Sequence, residues 1–319
     1  MSDYPKNNAE ILECLDHYVF GHTEAKKALI TMLSRSTMRS YQKYIKGVED
    51  QYLLSPMKVL LVGASGTGKT FLLETLQSIV HFPLIRADAT NLTPSGASGG
   101  LKADDLQKQI IKNAAKCCAD FPFSYPSIDS AIDRTVVFID EIDKLGTSFE
   151  SSGNWNKHVQ SNFLTTFDNK VELSGVSFVF AGAFGGITEP TKPKSLGFTH
   201  GQKHTEQKEL IDLRILKSGL IPEIVGRITA ICELDVFTAD TLYDILINRV
   251  LPKKRIDLAT YYLFDTTLSE SVMRAMAEEA ALSGQGVRYL QRAVDKVFMD
   301  LEFDVDVQQL IINDWSSVI

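Results

Sequence analysis

Between Lys58 and Val80 the chain reads KVLLV, then GASGTGKT, then FLLETLQSIV. An apolar strand pattern enters a glycine-rich turn that satisfies Gly-x-x-x-x-Gly-Lys-Thr, and an apolar helix pattern leaves it; few folds accommodate that order. Glycines permit positive φ, so successive N–H groups of Gly63, Ala64, Ser65, Gly66, Thr67 and Gly68 can turn inward around phosphate oxygens. The helix that continues through Phe71 presents its positive end to the same oxygens. Lys69 neutralises charge on the β and γ phosphates of ATP, and Thr70 places its hydroxyl on Mg²⁺. A glycine-rich turn with an incidental lysine is the competing reading, but it leaves the coincidence of strand, motif and helix unexplained. Lys69→Ala is therefore expected to abolish ATP turnover.

Four further apolar runs read as buried strands: Pro83–Arg86, Thr135–Ile139, Ser177–Ala181 and Ile228–Leu234. Helical patterns separate them, one marked by Leu106, Ile110, Ala114 and Cys117. Short continuous apolar strands alternating with helices predict a parallel sheet covered on both faces. Residues 1 to about 20 read as short and polar, followed by a helix from Thr23. Its apolar stripe is Ala25, Ala28, Leu29, Met32, Leu33 and Ser36, with Lys26, Lys27, Arg35 and Arg39 expected on solvated faces. From about Thr238 the pattern becomes mainly helical, with the stripe Val287, Leu290, Val294, Val297 and Leu301 and a short strand at Gln308–Ile312. The expected division is a large α/β ATPase domain at 1–237 and a small lid domain at 238–319.

The 319 residues suit about two domains. Hydrophobic residues at 44% and charged residues at 23% exclude a disordered or fibrous chain. Thirty-three Lys and Arg against forty Asp and Glu give 33 − 40 = −7, which disfavours whole-surface attraction to nucleic acid or anionic lipid. Cys14, Cys117, Cys118 and Cys232 form no Cys-x-x-Cys pair, so neither a zinc site nor a disulfide framework is expected; buried thiols are. The first residues lack a secretory pattern, and no apolar run approaches the roughly 18 residues of a membrane span. A cytoplasmic location is the expectation.

TVVFIDEIDK, residues 135–144, carries the acidic pair. A buried strand delivers Asp140 and Glu141 to its carboxyl edge, Asp140 to hold Mg²⁺ and Glu141 to orient and polarise the attacking water. Acidic residues in such places often only cap the next helix. Following the phosphate loop by about 70 residues in one α/β pattern, they read as hydrolytic, and Glu141→Gln should bind ATP yet hydrolyse it very slowly.

At this point the chain resembles an AAA+ ATPase, and within that superfamily the ClpX/HslU protein-unfoldase group. The resemblance rests on YVFGHTEAKKAL (18–29), GASGTGKT, ADATNLT (87–93), VVFIDEIDK, FAGAF (180–184), GLIPEIVGR (219–227) and GVRYLQRAVD (286–295), in family order over nearly the whole chain. It implies a P-loop NTPase with a parallel five-stranded sheet flanked by helices, plus the small helical lid. By position, Tyr18, Val19 and Phe20 resemble the box that packs around adenine; a hydrophobic staple before the first helix fits them equally well. Arg227 matches an arginine finger inserted into a neighbour's ATP site, and Arg288 a sensor arginine reaching the nucleotide of its own chain. Either guanidinium would stabilise charge spreading over the γ-phosphate. An arginine acting in trans implies a ring, and the resemblance implies a hexamer.

Three departures qualify it. The match starts almost at the first residue, with no counterpart of the ClpX zinc-binding domain, so adaptor contacts are expected elsewhere. The Gly-Tyr-Val-Gly pore loop is replaced by Gly96-Ala97-Ser98-Gly99, and Ala97 offers little surface for gripping polypeptide. The segment FDNKVELSGVSFVF leaves no room for a second, basic pore loop. Leu196-Gly197-Phe198 stands where ClpX carries the tripeptide that docks on the ClpP peptidase, and two readings stay open: an exposed anchor or a loop folded back on its own domain. Nearby Lys192, Lys194, His200, Lys203, His204 and Lys208 could meet phosphate backbones, although nucleic acid is not the favoured partner. The expected function is an ATP-driven ring that remodels, unfolds or disassembles a particular protein. The alternative is a regulatory AAA+ assembly on a partner or nucleic acid that threads nothing. A small-molecule kinase would leave the lid and both arginines without purpose.

Overall fold

The computed structural model describes residues 7–92, 103–122, 124–145, 160–161, 174–184, 215–216, 218–262, 265–303 and 309–312. Each apolar run forms a strand, because side chains such as Val59, Leu61, Val137, Ile139 and Val179 are buried on both faces of one sheet. The strands are β1 (Lys58–Val62), β2 (Leu84–Asp88), β3 (Val136–Asp140), β4 (Ser177–Gly182) and β5 (Ala230–Glu233). All pairings are parallel, in the order β2-β3-β4-β1-β5. Sequence placed these strands within about two residues. The order sets β4 between β1, which runs into the phosphate loop, and β3, which ends at Asp140.

Helices α1 (Asn8–Tyr18), α2 (Thr23–Tyr44), α3 (Lys69–Val80), α4 (Ala103–Asp120), α5 (Ile128–Asp133) and α6 (Pro222–Val225) lie among these strands in the chain. Leu106, Ile110 and Ala114 of α4 join the core with Leu60, Val137 and Phe180. Two expectations need correction. The start, read only as short and polar, contains α1, whose N-terminus is capped by the Asn7 side chain accepting from the N–H groups of Ala9 and Glu10 at 3.0 Å. Only Leu15 of that helix is fully buried, so its periodic signal is faint.

The cationic face of α2 is not uniformly solvated either: Lys27 and Arg35 are exposed, whereas Lys26 and Arg39 are buried. Arg39 donates to the Leu54 carbonyl at 2.9 Å and to Asp50 at 3.1 Å. Lys43 bridges Asp50 at 3.0 Å and buried Asp133 at 3.6 Å, and the Tyr44 hydroxyl donates to Asp133 at 3.2 Å. A Cβ on Gly175 would lie 2.3 Å from the Asp133 carboxylate, so the turn before β4 needs glycine there. Burial, then Asp133 itself, raises the Tyr44 hydroxyl above its ordinary range. This network ties α2, the turn after it and α5 together.

The chain divides into two compact units, Met1–Val62 with Thr70–Glu233, and Gly63–Lys69 with Leu234–Ile319. In the second, α7 (Ala239–Ile245), a π-helical turn at Leu246–Val250 and α8 (Leu251–Tyr262) precede α9 (Glu270–Leu282) and α10 (Val287–Phe303). Leu242, Leu246, Val272, Met276, Leu290 and Val294 are buried there. Strand β6 (Asp265–Leu268) pairs in parallel with β7 (Gln309–Ile312). Sequence anticipated β7 but not β6, whose DTTL carries a single large apolar residue. All four cysteines are free; Cys232 is buried, the others partly so. Burial pushes the Cys232 thiol up to about 11.

Candidate nucleotide-hydrolysis site

The phosphate loop belongs to the second unit. Gly66 and Gly68 hold φ of 85° and 89°, a left-handed backbone that glycine adopts without steric penalty. The Thr67 hydroxyl donates to the Ala64 carbonyl at 2.9 Å, and the Lys69 ammonium donates to the Gly63 and Ala64 carbonyls at 2.5 and 2.9 Å. Phosphate oxygens would offer that ammonium stronger, charge-assisted partners. The turn before α10 closes on the same loop. The Val287 N–H donates to the Gly66 carbonyl at 3.4 Å, and the Arg288 guanidinium donates to the Ser65 hydroxyl. A Cβ on Gly66 would lie 1.9 Å from the Gln285 carbonyl oxygen, so this approach requires glycine.

In the first unit the Thr70 hydroxyl donates to Asp140 Oδ2 at 3.3 Å. Asp140 Oδ1 accepts from the Glu141 N–H at 2.9 Å. Glu141 is exposed and left-handed, with φ of 55°, and its carbonyl accepts from the Lys144 N–H at 2.9 Å. Such a backbone is uncommon outside glycine and needs its surroundings to hold it. Phe71, next on α3, is 48% exposed. Tyr18 ends α1 and is half-exposed, Val19 is buried and Phe20 partly buried. Arg227 follows α6 at the approach to β5 and is partly buried.

The structure thus brings together Thr70, Asp140 and Glu141, and separately the loop residues with Arg288. Gly96-Ala97-Ser98-Gly99, Leu196-Gly197-Phe198 and the basic residues from Lys192 to Lys208 lie outside the described residues. Sequence reasoning missed two contributors. Lys26 donates to the Val19 carbonyl at 2.5 Å inside the box expected around adenine, and to Asp16 at 2.6 Å. Asp143, the third carboxylate of TVVFIDEIDK, reaches β4; its position in that run was the available signal.

The donors fit a nucleotide with Mg²⁺. Thr70 and Asp140 are hard oxygen ligands within one hydrogen bond of each other. Among the described residues no group of three or more His, Cys, Asp or Glu converges on a metal position. A cation at Thr70 and Asp140 would complete its shell with phosphate oxygens and water, the usual habit of Mg²⁺. No helix among the described residues is long and apolar enough to cross a membrane.

Residues 59–190 match the ATPase family associated with various cellular activities (AAA). The chain is 29% identical to the ATP-dependent Clp protease ATP-binding subunit ClpX 2 of Wolinella succinogenes, over 93% of this chain and 77% of that one. It is 28% identical to ClpX of Treponema denticola, over 95% and 79% respectively. ClpX of Borrelia duttonii is also 28% identical, over 91% and 72%. The chain is an ATP-hydrolysing enzyme, similar to the AAA family across residues 59–190 and to ClpX along most of its length.

Proposed function

We propose that this chain assembles into a hexameric ring that uses ATP hydrolysis to remodel, unfold or disassemble a specific protein partner. In this reading the large domain spans 1–237 and the lid 238–319, and the protein works in the cytoplasm. The observation that carries it is the Arg288 guanidinium on the Ser65 hydroxyl, which ties the start of α10 to the loop that cradles phosphates. A helix so attached feels a change in what the loop holds, which a motor needs and a static binder does not.

In this proposal each site residue takes a role. Inward N–H groups of residues 63–68 and the start of α3 bind the phosphates, and Lys69 leaves the Gly63 and Ala64 carbonyls for them. Thr70 and Asp140 hold Mg²⁺, which when bound offsets charge on the β and γ phosphates. Glu141 takes the proton of the attacking water. Arg288 stabilises the charge that spreads over the γ-phosphate in its own chain, and Arg227 does so from the neighbouring protomer. Tyr18, Val19, Phe20 and Phe71 pack about the base and ribose. Ala97 in place of an aromatic paddle suggests a narrower target range than a general unfoldase, and Leu196-Gly197-Phe198 would be the anchor for a ClpP-type peptidase. The second reading, a regulatory assembly without threading, is favoured by that same Ala97.

The test combines turnover with mass. Lys69→Ala should lose ATP turnover, and Glu141→Gln should retain ATP and accumulate as hexamers by mass photometry. Wild-type and Arg227→Ala chains, mixed, should lose more activity than their proportions dictate. Monomers with full turnover in every nucleotide condition would end this proposal. Stimulation by nucleic acid, indifferent to changes at Ala97, would favour the second reading.

A further inference from the structure

We infer that Asp143 is a positioning residue for the hydrolytic step, holding Glu141 in place through a contact with the end of β4. The inference rests on Glu141 as the base. Strand β4 lies between β1 and β3, yet its end, Ala181-Gly182-Ala183-Phe184, contributes no polar side chain to the carboxyl edge of the sheet. Asp143 supplies one from the other side. It sits in the short helical turn Ile142–Leu145 directly after Glu141, and its Oδ2 accepts from the Phe184 N–H at 3.4 Å.

Its other oxygen faces Gly182, where a Cβ would lie 2.8 Å from Oδ1 and 2.6 Å from the Phe184 ring. No larger residue fits unless the carboxylate or the ring moves. Glu141 and Phe184 are both non-glycine residues with left-handed backbones, φ of 55° and 48°. The carboxylate of Asp143 stands between the turn that carries one and the strand end that carries the other.

The turn has other attachments: Asp140 Oδ1 on the Glu141 N–H, Lys144 N–H on the Glu141 carbonyl, the Gln160 side-chain amide on the Leu145 carbonyl at 3.1 Å, and the buried side chains Ile142 and Leu145. The apolar pair keeps the turn on the core by non-directional burial. Asp143 adds direction, fixing how the turn sits against β4. Its removal should therefore spare folding and nucleotide binding and disturb the aim of Glu141 at water. A displacement of about 1 Å in a catalytic group can cost roughly 100-fold in rate.

Steady-state ATP hydrolysis by the full chain tests this, with thermal melting alongside. Asp143→Ala should lower kcat by about 10- to 100-fold with KM unchanged. Asp143→Asn, whose amide oxygen still accepts from Phe184, should recover most of the loss. Gly182→Ala leaves both carboxylates in the chain but crowds Asp143, and should lower kcat in the same way; it serves if Asp143→Ala does not fold. Wild-type kcat in Asp143→Ala or Gly182→Ala, a change confined to KM, or an Asn variant as slow as Ala would each overturn the inference. Glu141→Gln separates the two readings. Slow hydrolysis there with normal Asp143→Ala rejects only this inference, whereas normal hydrolysis in Glu141→Gln removes Glu141 as the base.

Discussion

Replacing Lys26 with Met tests how the segment around Tyr18–Phe20 is held. The Lys26 side chain is 2% exposed; its ammonium donates to the Val19 carbonyl at 2.5 Å and to Asp16 at 2.6 Å, and Asp16 is 56% exposed. Methionine keeps the apolar stem and deletes the charge. Asp16 remains hydrated, so its lost pairing is worth only about 0–1 kcal/mol. Val19 is buried, and stranding its carbonyl costs about 1–3 kcal/mol. Relief from burying an ammonium works in the opposite direction, but such relief dominates only where the partner is replaced as well. The sign is therefore destabilising, by about 2 kcal/mol. For a unit of this size that corresponds to a Tm lowered by about 4–8 °C, readable by scanning calorimetry. Asp16→Asn should lower it by less than half as much. If residues 18–20 pack on the base, nucleotide affinity should weaken in Lys26→Met as well. An unchanged or higher Tm, or an Asp16→Asn variant equally damaged, would refute the assignment of the energy to the carbonyl.

Two further outcomes are expected. Gly66→Ala must adopt φ near 85° at a cost of about 1–2 kcal/mol and must part the loop from the Gln285 carbonyl. Titration with a fluorescent ATP analogue should show binding at least about tenfold weaker, and wild-type affinity would refute the role of that contact. For Asp133, burial raises the carboxyl above its ordinary 3.8, against the opposing pull of Lys43 and Arg39, with Tyr44 and Asp50 also facing it. Folding then favours the protonated form, so its stabilisation is full below that ordinary value and is lost as pH rises through the raised one. The Tm of the wild type relative to Asp133→Asn should fall over that window, and a flat difference would contradict it.

What could be read from the sequence followed from local pattern. The strands were visible because both faces of β1, β3 and β4 are buried, leaving unbroken apolar runs, and the phosphate loop because its glycines and Lys69 have fixed spacing. Helix α1 escaped because a single leucine buries it. Lys26 and Arg39 were misplaced because a charge enters a core only with partners, and those partners lie on separate segments that periodicity does not join. The reach of Asp143 to Phe184, 41 residues away, is set by the order of strands in the sheet. No local pattern encodes that order.

Helix α10 runs unbroken for 17 residues from Val287 to Phe303. At 1.5 Å per residue it is a stiff rod of about 25 Å. Arg288, near one end, grips Ser65, and Phe303, at the other, is 91% exposed. By simple trigonometry a tilt of about 6° at the gripped end sweeps the far tip through about 2.5 Å. If the proposed ring forms and Arg288 follows the phosphates, a sub-ångström adjustment on losing one phosphate would be magnified along the rod into a displacement at the neighbouring protomer.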